Sequence, residues 1–280
     1  MKCVYKFAMI ISFIKMHGLG NDFAMFDGRP QKIALSLEKI RALADRQRGI
    51  GFDQAVVIDP PKTPGTEAYL RIFNADGGEV AACGNATRCI VKLLVEETGK
   101  AEISLETKAG KLAGKKAGDK VTVDMGTAHM DWKDIPLSHE ENTLSLPIFE
   151  GVLKDPVGVS MGNPHAVFFV QDAETIDLAT LGPKLEHHPL FPERANIGVA
   201  SFAASDRLRL RVWERGAGLT QACGTGACAA GVAAVRRGLT GRRVTVVLDG
   251  GELLIEWRET DGHVLMTGDA VEVYRGEIDV

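Results

Sequence analysis

The chain has 280 residues, 45% of them apolar and 25% charged, with 33 Lys+Arg against 37 Asp+Glu and a formal net charge of −4. At about 150 residues per domain this length suggests two domains, each with its own core. The lack of a basic excess argues against nucleic acid and anionic membrane as partners, and no apolar run approaches the roughly 20 residues that cross a bilayer. In chain order, the apolar stretch Val4 to Ile14 could pass for a signal peptide, but Lys6 interrupts it and no small-residue cleavage site follows. Residues 1–12 are therefore read as an extension on a cytoplasmic, reduced protein, ahead of the strand-like Phe13-Ile14-Lys15-Met16. Ser36 is placed to cap a helix over about Leu37 to Gln47, with Leu37, Ile40 and Leu43 on one face. Short β-rich runs at Ala55 to Ile58 and Tyr69 to Phe73 follow, then a helix-like run from Cys83 to about Thr98, stopped by Gly99. Residues 128–150, with Pro136 and Pro147, look like a linking region. Beyond it lie strands at Ala166 to Val170 and Val244 to Leu248, separated by an Ala- and Gly-rich helical run from Cys223 to Gly238. Small residues almost all round that last helix point to burial against close neighbours.

The chain repeats itself. Leu70-Arg71-Ile72-Phe73-Asn74 matches Leu210-Arg211-Val212-Trp213-Glu214, and the same offset carries Gly78 onto Gly218 and Ala82-Cys83-Gly84 onto Ala222-Cys223-Gly224. Gly20-Asn21 meets Gly162-Asn163, Gln54 meets Asn196, Ala109 to Leu112 resembles Gly250 to Leu253, and Val121 to Gly126 resembles Val264 to Gly268. The expected fold is α/β (α+β): two pseudo-symmetric halves, each a mostly antiparallel sheet wrapped around a central helix. The expected divisions are 1–127, 128–271, and a terminal strand over 272–280 that returns to the first half.

Each half contributes one Cys-Gly at the start of a helix: Cys83-Gly84-Asn85-Ala86 and Cys223-Gly224-Thr225-Gly226. There the helix dipole and first-turn amides favour negative charge. That setting is expected to lower the thiol pKa and to offer donors to a substrate carboxylate. A thiolate and a thiol on opposite faces of one carbon suit inversion of a stereocentre, one removing a proton as the other supplies one, with the carboxylate donors stabilising the enolate-like charge. Cys3, Cys89 and Cys228 lack a repeat partner and read as small core residues. An odd cysteine count without CxxC argues against disulfides and structural zinc. The adjacent His187-His188, with no spaced carboxylate, is a poor metal site. No metal or other cofactor is expected, and no lysine in these motifs stands out for pyridoxal.

The segments Met16 to Phe23, Asn74 to Glu79, Ala82 to Cys89, Gly162-Asn163-Pro164-His165 and Glu214 to Gly218 with Ala222 to Gly226 resemble the diaminopimelate epimerase family, in family order from about Phe13 to the C-terminus. The resemblance implies a cofactor-independent isomerase converting LL-2,6-diaminopimelate to the meso form for lysine and peptidoglycan synthesis. It also implies an active site in the cleft between the halves, a small-molecule amino-acid substrate, and a homodimer. Position by position, it makes Cys83 and Cys223 the acid–base thiols, and His165 and Glu214 the groups that tune them. It makes Asn21, Gln54, Asn74, Gly84, Asn85, Asn163, Asn196, Glu214, Arg215, Gly224 and Thr225 the substrate ligands. Asn74 and Glu214 are repeat partners, as are Gln54 with Asn196 and Asn21 with Asn163, whereas Arg215 faces Ala75 across the repeat and suits a distal carboxylate. Asp76, Glu79 and Arg88 read as solvated or structural ions. Ala86 and Asp269 depart from residues common in the family, Gly and Pro, without touching the proton-transfer pair. The alternatives are a proline or hydroxyproline racemase of the same architecture, a dithiol redox protein, and a silent amino-acid binder.

Overall fold

A computed structural model of the chain describes residues 10–279; Cys3 and most of the expected extension lie outside the described residues. The elements run β1 (Ile10–Gly18), β2 (Asn21–Asp27), α1 (Leu37–Ala44), β3 (Gln54–Asp59), β4 (Ala68–Asn74), β5 (Glu79–Val80), α2 (Gly84–Thr98), β6 (Glu102–Thr107) and β7 (Gly110–Ala117). They continue with β8 (Lys120–Thr127), β9 (Phe149–Glu150), β10 (Leu153–Lys154), β11 (Val157–Ser160), β12 (Pro164–Phe169), α3 (Leu178–Glu186), β13 (Asn196–Ala204), β14 (Arg207–Glu214) and β15 (Gly218–Thr220). The last are α4 (Gly224–Arg236), β16 (Arg243–Leu248), β17 (Gly251–Trp257), β18 (His263–Gly268) and β19 (Val271–Asp279). The first strand opens at Ile10, three residues before the expected start, because Ile10 to Ser12 pair with the end of β19.

The chain divides into two compact units, one ending at Lys116 and resuming at Ala270, the other Ala117–Asp269. In the first unit β19 pairs antiparallel with β1, β1 with β2, and β3 with β4, while β2 and β3 run parallel. The far edge of β4 is shared by β5 and β6, and β6 turns back into β7. The second unit repeats this plan in β11 to β17: antiparallel, parallel, antiparallel, then β15 and β16 sharing β14 and β16 turning into β17. The duplication extends to register, since Phe23 lies opposite Gln54 and their repeat partners His165 and Asn196 lie opposite each other. β8 and β18, which resemble each other in sequence, pair antiparallel within the second unit about Val123 and Met266.

Each unit buries one helix. Ala86, Cys89, Ile90, Val91 and Leu94 of α2 are buried, and α2 packs on β1 and β6. In α4 every residue from Gly226 to Ala234 is buried, and small side chains let the helix lie close to its sheet. Helix α1 is shorter than expected, ending at Ala44, and Leu37 is exposed while Ile40 and Leu43 are buried. Residues 128–150, read as a linking region at the start of the second half, are packed into a core. Ile135, Leu137, Leu146 and Ile148 join Phe168, Leu185 and Ile197 in one core cluster, so the stretch is part of the second unit. Among the described residues no helix is long and apolar enough to cross a membrane.

Candidate active site

In the first unit Cys83 is the extended N-cap of α2 and is half-buried. Its Sγ lies 3.9 Å from Asn21 Oδ1, the atom that also accepts from Asn85 Nδ2 at 3.2 Å. Asn21 follows Gly20, whose φ of 84° is in the left-handed region that glycine adopts without strain. Asn21 is held from behind, where its Nδ2 donates to Asp53 Oδ2 at 3.0 Å, and Arg46 bridges Asp53 and Asp22. Lys15 completes that network by donating to Asp22 at 2.7 Å. Although burial opposes it, the hydrogen bonds of Arg46 and Lys15 hold the Asp22 carboxyl far below the usual range. Gln54 Nε2 donates to Asn74 Oδ1 at 2.8 Å, and its buried Oε1 has no hydrogen-bond partner among the described residues.

The second unit reproduces this arrangement with different chemistry. Cys223, 3% exposed, caps α4, and its Sγ accepts from Gly226 N–H at 3.4 Å. A chain of polar contacts leads away from it: Sγ to Thr225 Oγ1 at 3.7 Å, Thr225 Oγ1 from Asn163 Nδ2 at 3.3 Å, and Asn163 Oδ1 to His165 Nε2 at 3.1 Å. Gly162 precedes Asn163 with φ 85°, matching Gly20. Asn196 is buried, donating to Pro164 O at 3.0 Å and accepting from Arg215 N–H at 2.8 Å, while Arg215 Nη1 reaches Glu193 O at 2.9 Å. Where the first unit has Asn74, the second has Glu214, which accepts from Thr220 Oγ1 and shares a hydrogen bond with Cys223.

Burial, and then the neighbouring Glu214, push the Cys223 thiol well above its ordinary value, against the lowering hydrogen bonds from Thr225 and Gly226. This overturns the expected lowering at that helix N-terminus: full desolvation of a thiolate outweighs the dipole and first-turn amides. Burial likewise raises Glu214. His165 is 1% exposed, and burial followed by the charge of Arg215 drops it to about 3, so it is neutral at physiological pH. Complete burial raises Cys89 to about 12, and Cys228 is fully buried, as small core residues should be. The described residues contain no cluster of three His, Cys, Asp or Glu able to hold a metal.

The family model for diaminopimelate epimerase matches residues 13–130 and 157–273. The chain belongs to the diaminopimelate epimerase family. Among its relatives, the diaminopimelate epimerase of Rhodospirillum centenum is 54% identical over 271 residues, covering 96% of this chain and 93% of the relative. That of Caulobacter vibrioides is 52% identical over 279 residues, covering 95% and 97%. Solved structures extend the likeness in fold alone. A Bacillus anthracis phenazine biosynthesis protein of the PhzF family has a TM-score of 0.69 at 17% identity, covering 97% of this chain and all of that one. A hydroxyproline epimerase from Agrobacterium vitis has 0.68 at 16%, covering 97% and 93%.

Within this family member, every candidate residue of the first unit, Asn21, Gln54, Asn74, Cys83, Gly84 and Asn85, lies on β2, β3, β4 or the start of α2. Those of the second, Asn163, His165, Asn196, Glu214, Arg215, Cys223, Gly224 and Thr225, lie on or beside β12, β13, β14 and α4. His165 touches Asn163, and a chain of contacts through Asn163 and Thr225 links it to the Cys223 sulfur. Sequence reasoning missed Asp53 and Arg46, which lie next to the candidate residue Asn21 only once β2 and β3 have paired. Of the two readings of Arg88, solvated or structural ion, burial excludes the first: Arg88 is fully buried on α2, its guanidinium admitted by the missing side chain of Gly18, where a Cβ would fall 2.8 Å from Nη2.

Proposed function

We propose that this protein is a cofactor-independent epimerase that inverts one α-carbon of LL-2,6-diaminopimelate to give the meso isomer, a step of lysine and peptidoglycan synthesis. The observation that carries the reading is the pair of cysteines at equivalent helix N-caps, in a chain half identical to enzymes named for that reaction. One thiolate takes the α-proton: an S–H bond forms, the Cα–H bond breaks, and the electron pair moves into the adjacent carboxylate as an enolate. The other thiol then returns a proton to the opposite face, and the pair collapses back onto carbon. One proton leaves, one arrives, and negative charge passes from one sulfur to the other.

Burial and the neighbouring Glu214 favour the protonated form of Cys223, which suits that thiol to the proton-donating role. When the direction reverses, Glu214 is the group placed to take the Cys223 proton. The first turns of α2 and α4, at Gly84-Asn85 and Gly224-Thr225, supply amides for the reacting carboxylate and its enolate. The buried acceptor Gln54 Oε1 suits an ammonium group. Asn21, Asn74, Asn163, Asn196 and Arg215 complete the ligands, Arg215 for the distal carboxylate, and His165 sets the orientation of Asn163. A homodimer in the cytoplasm belongs to the same reading, with light scattering as its check. Reduced protein incubated with LL-diaminopimelate in D₂O should place deuterium at a single α-carbon; no exchange would end the reading.

A further inference from the structure

We propose that Glu186, at the end of α3, is the positioning residue for the turn that carries Glu214 and Arg215, and so for recognition of the substrate's far end. The proposal rests on the reading of those two residues given above. The Glu186 side chain is 5% exposed. Its Oε2 accepts from Trp213 Nε1 at 2.7 Å, and its Oε1 from Gly216 N–H at 3.0 Å and Arg194 Nη1 at 3.3 Å. One carboxylate therefore grips residues 213 and 216, on either side of Glu214-Arg215. Its main-chain carbonyl accepts from Ala195 N–H at 3.2 Å, just before Asn196, whose side chain in turn accepts from Arg215 N–H at 2.8 Å. Asn196, Glu214 and Arg215 are thus all fastened around one buried acid that points at none of the reacting groups.

Burying a carboxylate is unfavourable unless fixed donors satisfy it, and here two of the three donors, the indole of Trp213 and the Gly216 N–H, belong to the turn itself, the third being the Arg194 guanidinium. Packing supports the same assignment. Trp213 lies so close over α3 that a Cβ at Gly182 would fall 2.5 Å from Cγ and Cδ2 of its ring, and the outer ring atom Cη2 is 3.5 Å from the Cβ position of Gly218. The indole thus touches both the helix and the turn. The first unit holds the equivalent turn in the equivalent way with reversed polarity: Arg41 of α1 donates through Nε to Asp76 O at 2.7 Å, and Asp76 is the repeat partner of Gly216. In both units, then, the helix linking the two parallel strands latches the turn after Asn74 or Glu214. The fuller latch belongs to the turn that bears an arginine; its counterpart carries Ala75 and has Phe73 in place of the tryptophan.

The test is the steady-state kinetics of the full-length protein with LL-diaminopimelate for Glu186→Gln, Arg215→Ala and the double variant. An amide in place of the carboxylate sets an NH₂ against a donor, so Glu186→Gln is expected to raise KM about tenfold or more, with a smaller loss in kcat and an intact circular dichroism spectrum. Because Glu186 acts through Arg215, its effect on KM should largely vanish in the Arg215→Ala background. A folded Glu186→Gln enzyme with wild-type KM, or effects that multiply independently in the double variant, would overturn the proposal. Should Glu186→Gln fail to fold, Trp213→Phe keeps an aromatic ring, though a smaller one, and removes one donor from the carboxylate. It is expected to raise KM roughly threefold, and an unchanged KM overturns the proposal. Wild-type protein run in parallel separates the two readings: its failure to epimerise would refute the proposed function, whereas an active wild type beside an unaffected variant refutes only the role of Glu186.

Discussion

Lowering the pH from 7 to 4 is expected to weaken the second unit through one buried side chain, His165. In the folded protein its pKa is about 3, set first by burial and then by Arg215, against 6.5 for an ordinary histidine. A folded pKa below the unfolded one means that the stabilising contribution is fully present above pH 6.5 and is lost as pH falls toward 3, because the unfolded chain takes up a proton that the folded one refuses. At pH 4 about 2.5 pH units of that window have been crossed, and at about 1.4 kcal/mol per unit the loss is roughly 3 kcal/mol. Replacement by Phe, the residue at the repeat-equivalent position Phe23, removes the titration. It also removes the hydrogen bond to Asn163 at every pH, so only the difference between the two pH values is diagnostic. Urea unfolding followed by tryptophan fluorescence reads the correct unit, because Trp132, Trp213 and Trp257 all lie in Ala117–Asp269. Wild type should lose about 3 kcal/mol more than His165→Phe between pH 7 and 4; parallel losses in the two proteins would refute a buried, neutral histidine.

Glu214→Gln should lower kcat by about a hundredfold in the direction in which Cys223 acts as the base, since an amide cannot take the Cys223 proton. The acid limb of the wild-type pH–rate profile should lie above the 4.5 of an ordinary glutamate and disappear in the variant; a retained limb would assign it elsewhere. Asp53→Ala frees Asn21 from its anchor 3.0 Å away and should reduce kcat/KM about tenfold at unchanged fold, measured by coupled assay and circular dichroism. Gly231→Ala in α4 would set a Cβ 2.9 Å from Ile255 Cγ2, and should cost about 1–3 kcal/mol in urea titration.

The sequence was most informative where it repeated. An offset read from Cys83 and Cys223 anticipated two halves built the same way, and the opposed pairs Phe23–Gln54 and His165–Asn196 show that the likeness extends to individual residues. Motif spacing likewise placed each cysteine at a helix cap. What remained hidden depends on long-range packing. Pro136 and Pro147 suggested a linker, yet the apolar side chains between them complete a core formed by residues far along the chain. Leu37 fits the apolar face of a helix by spacing and is exposed because α1 is only two turns long. The Cys223 pKa went the opposite way from expectation because burial is invisible in a local motif while the helix dipole is not. Asp53 and Glu186 reach their partners across strand pairs or from another helix, so no spacing rule could have singled them out.

The most direct measurement is turnover of LL-diaminopimelate by Cys83→Ser and Cys223→Ser, each compared with wild type at matched circular dichroism and thermal midpoint. A hydroxyl cannot replace either sulfur as a base near neutral pH, so kcat should fall by about a thousandfold or more in both variants. Near-wild-type turnover in either folded variant would contradict proton transfer by a pair of thiols.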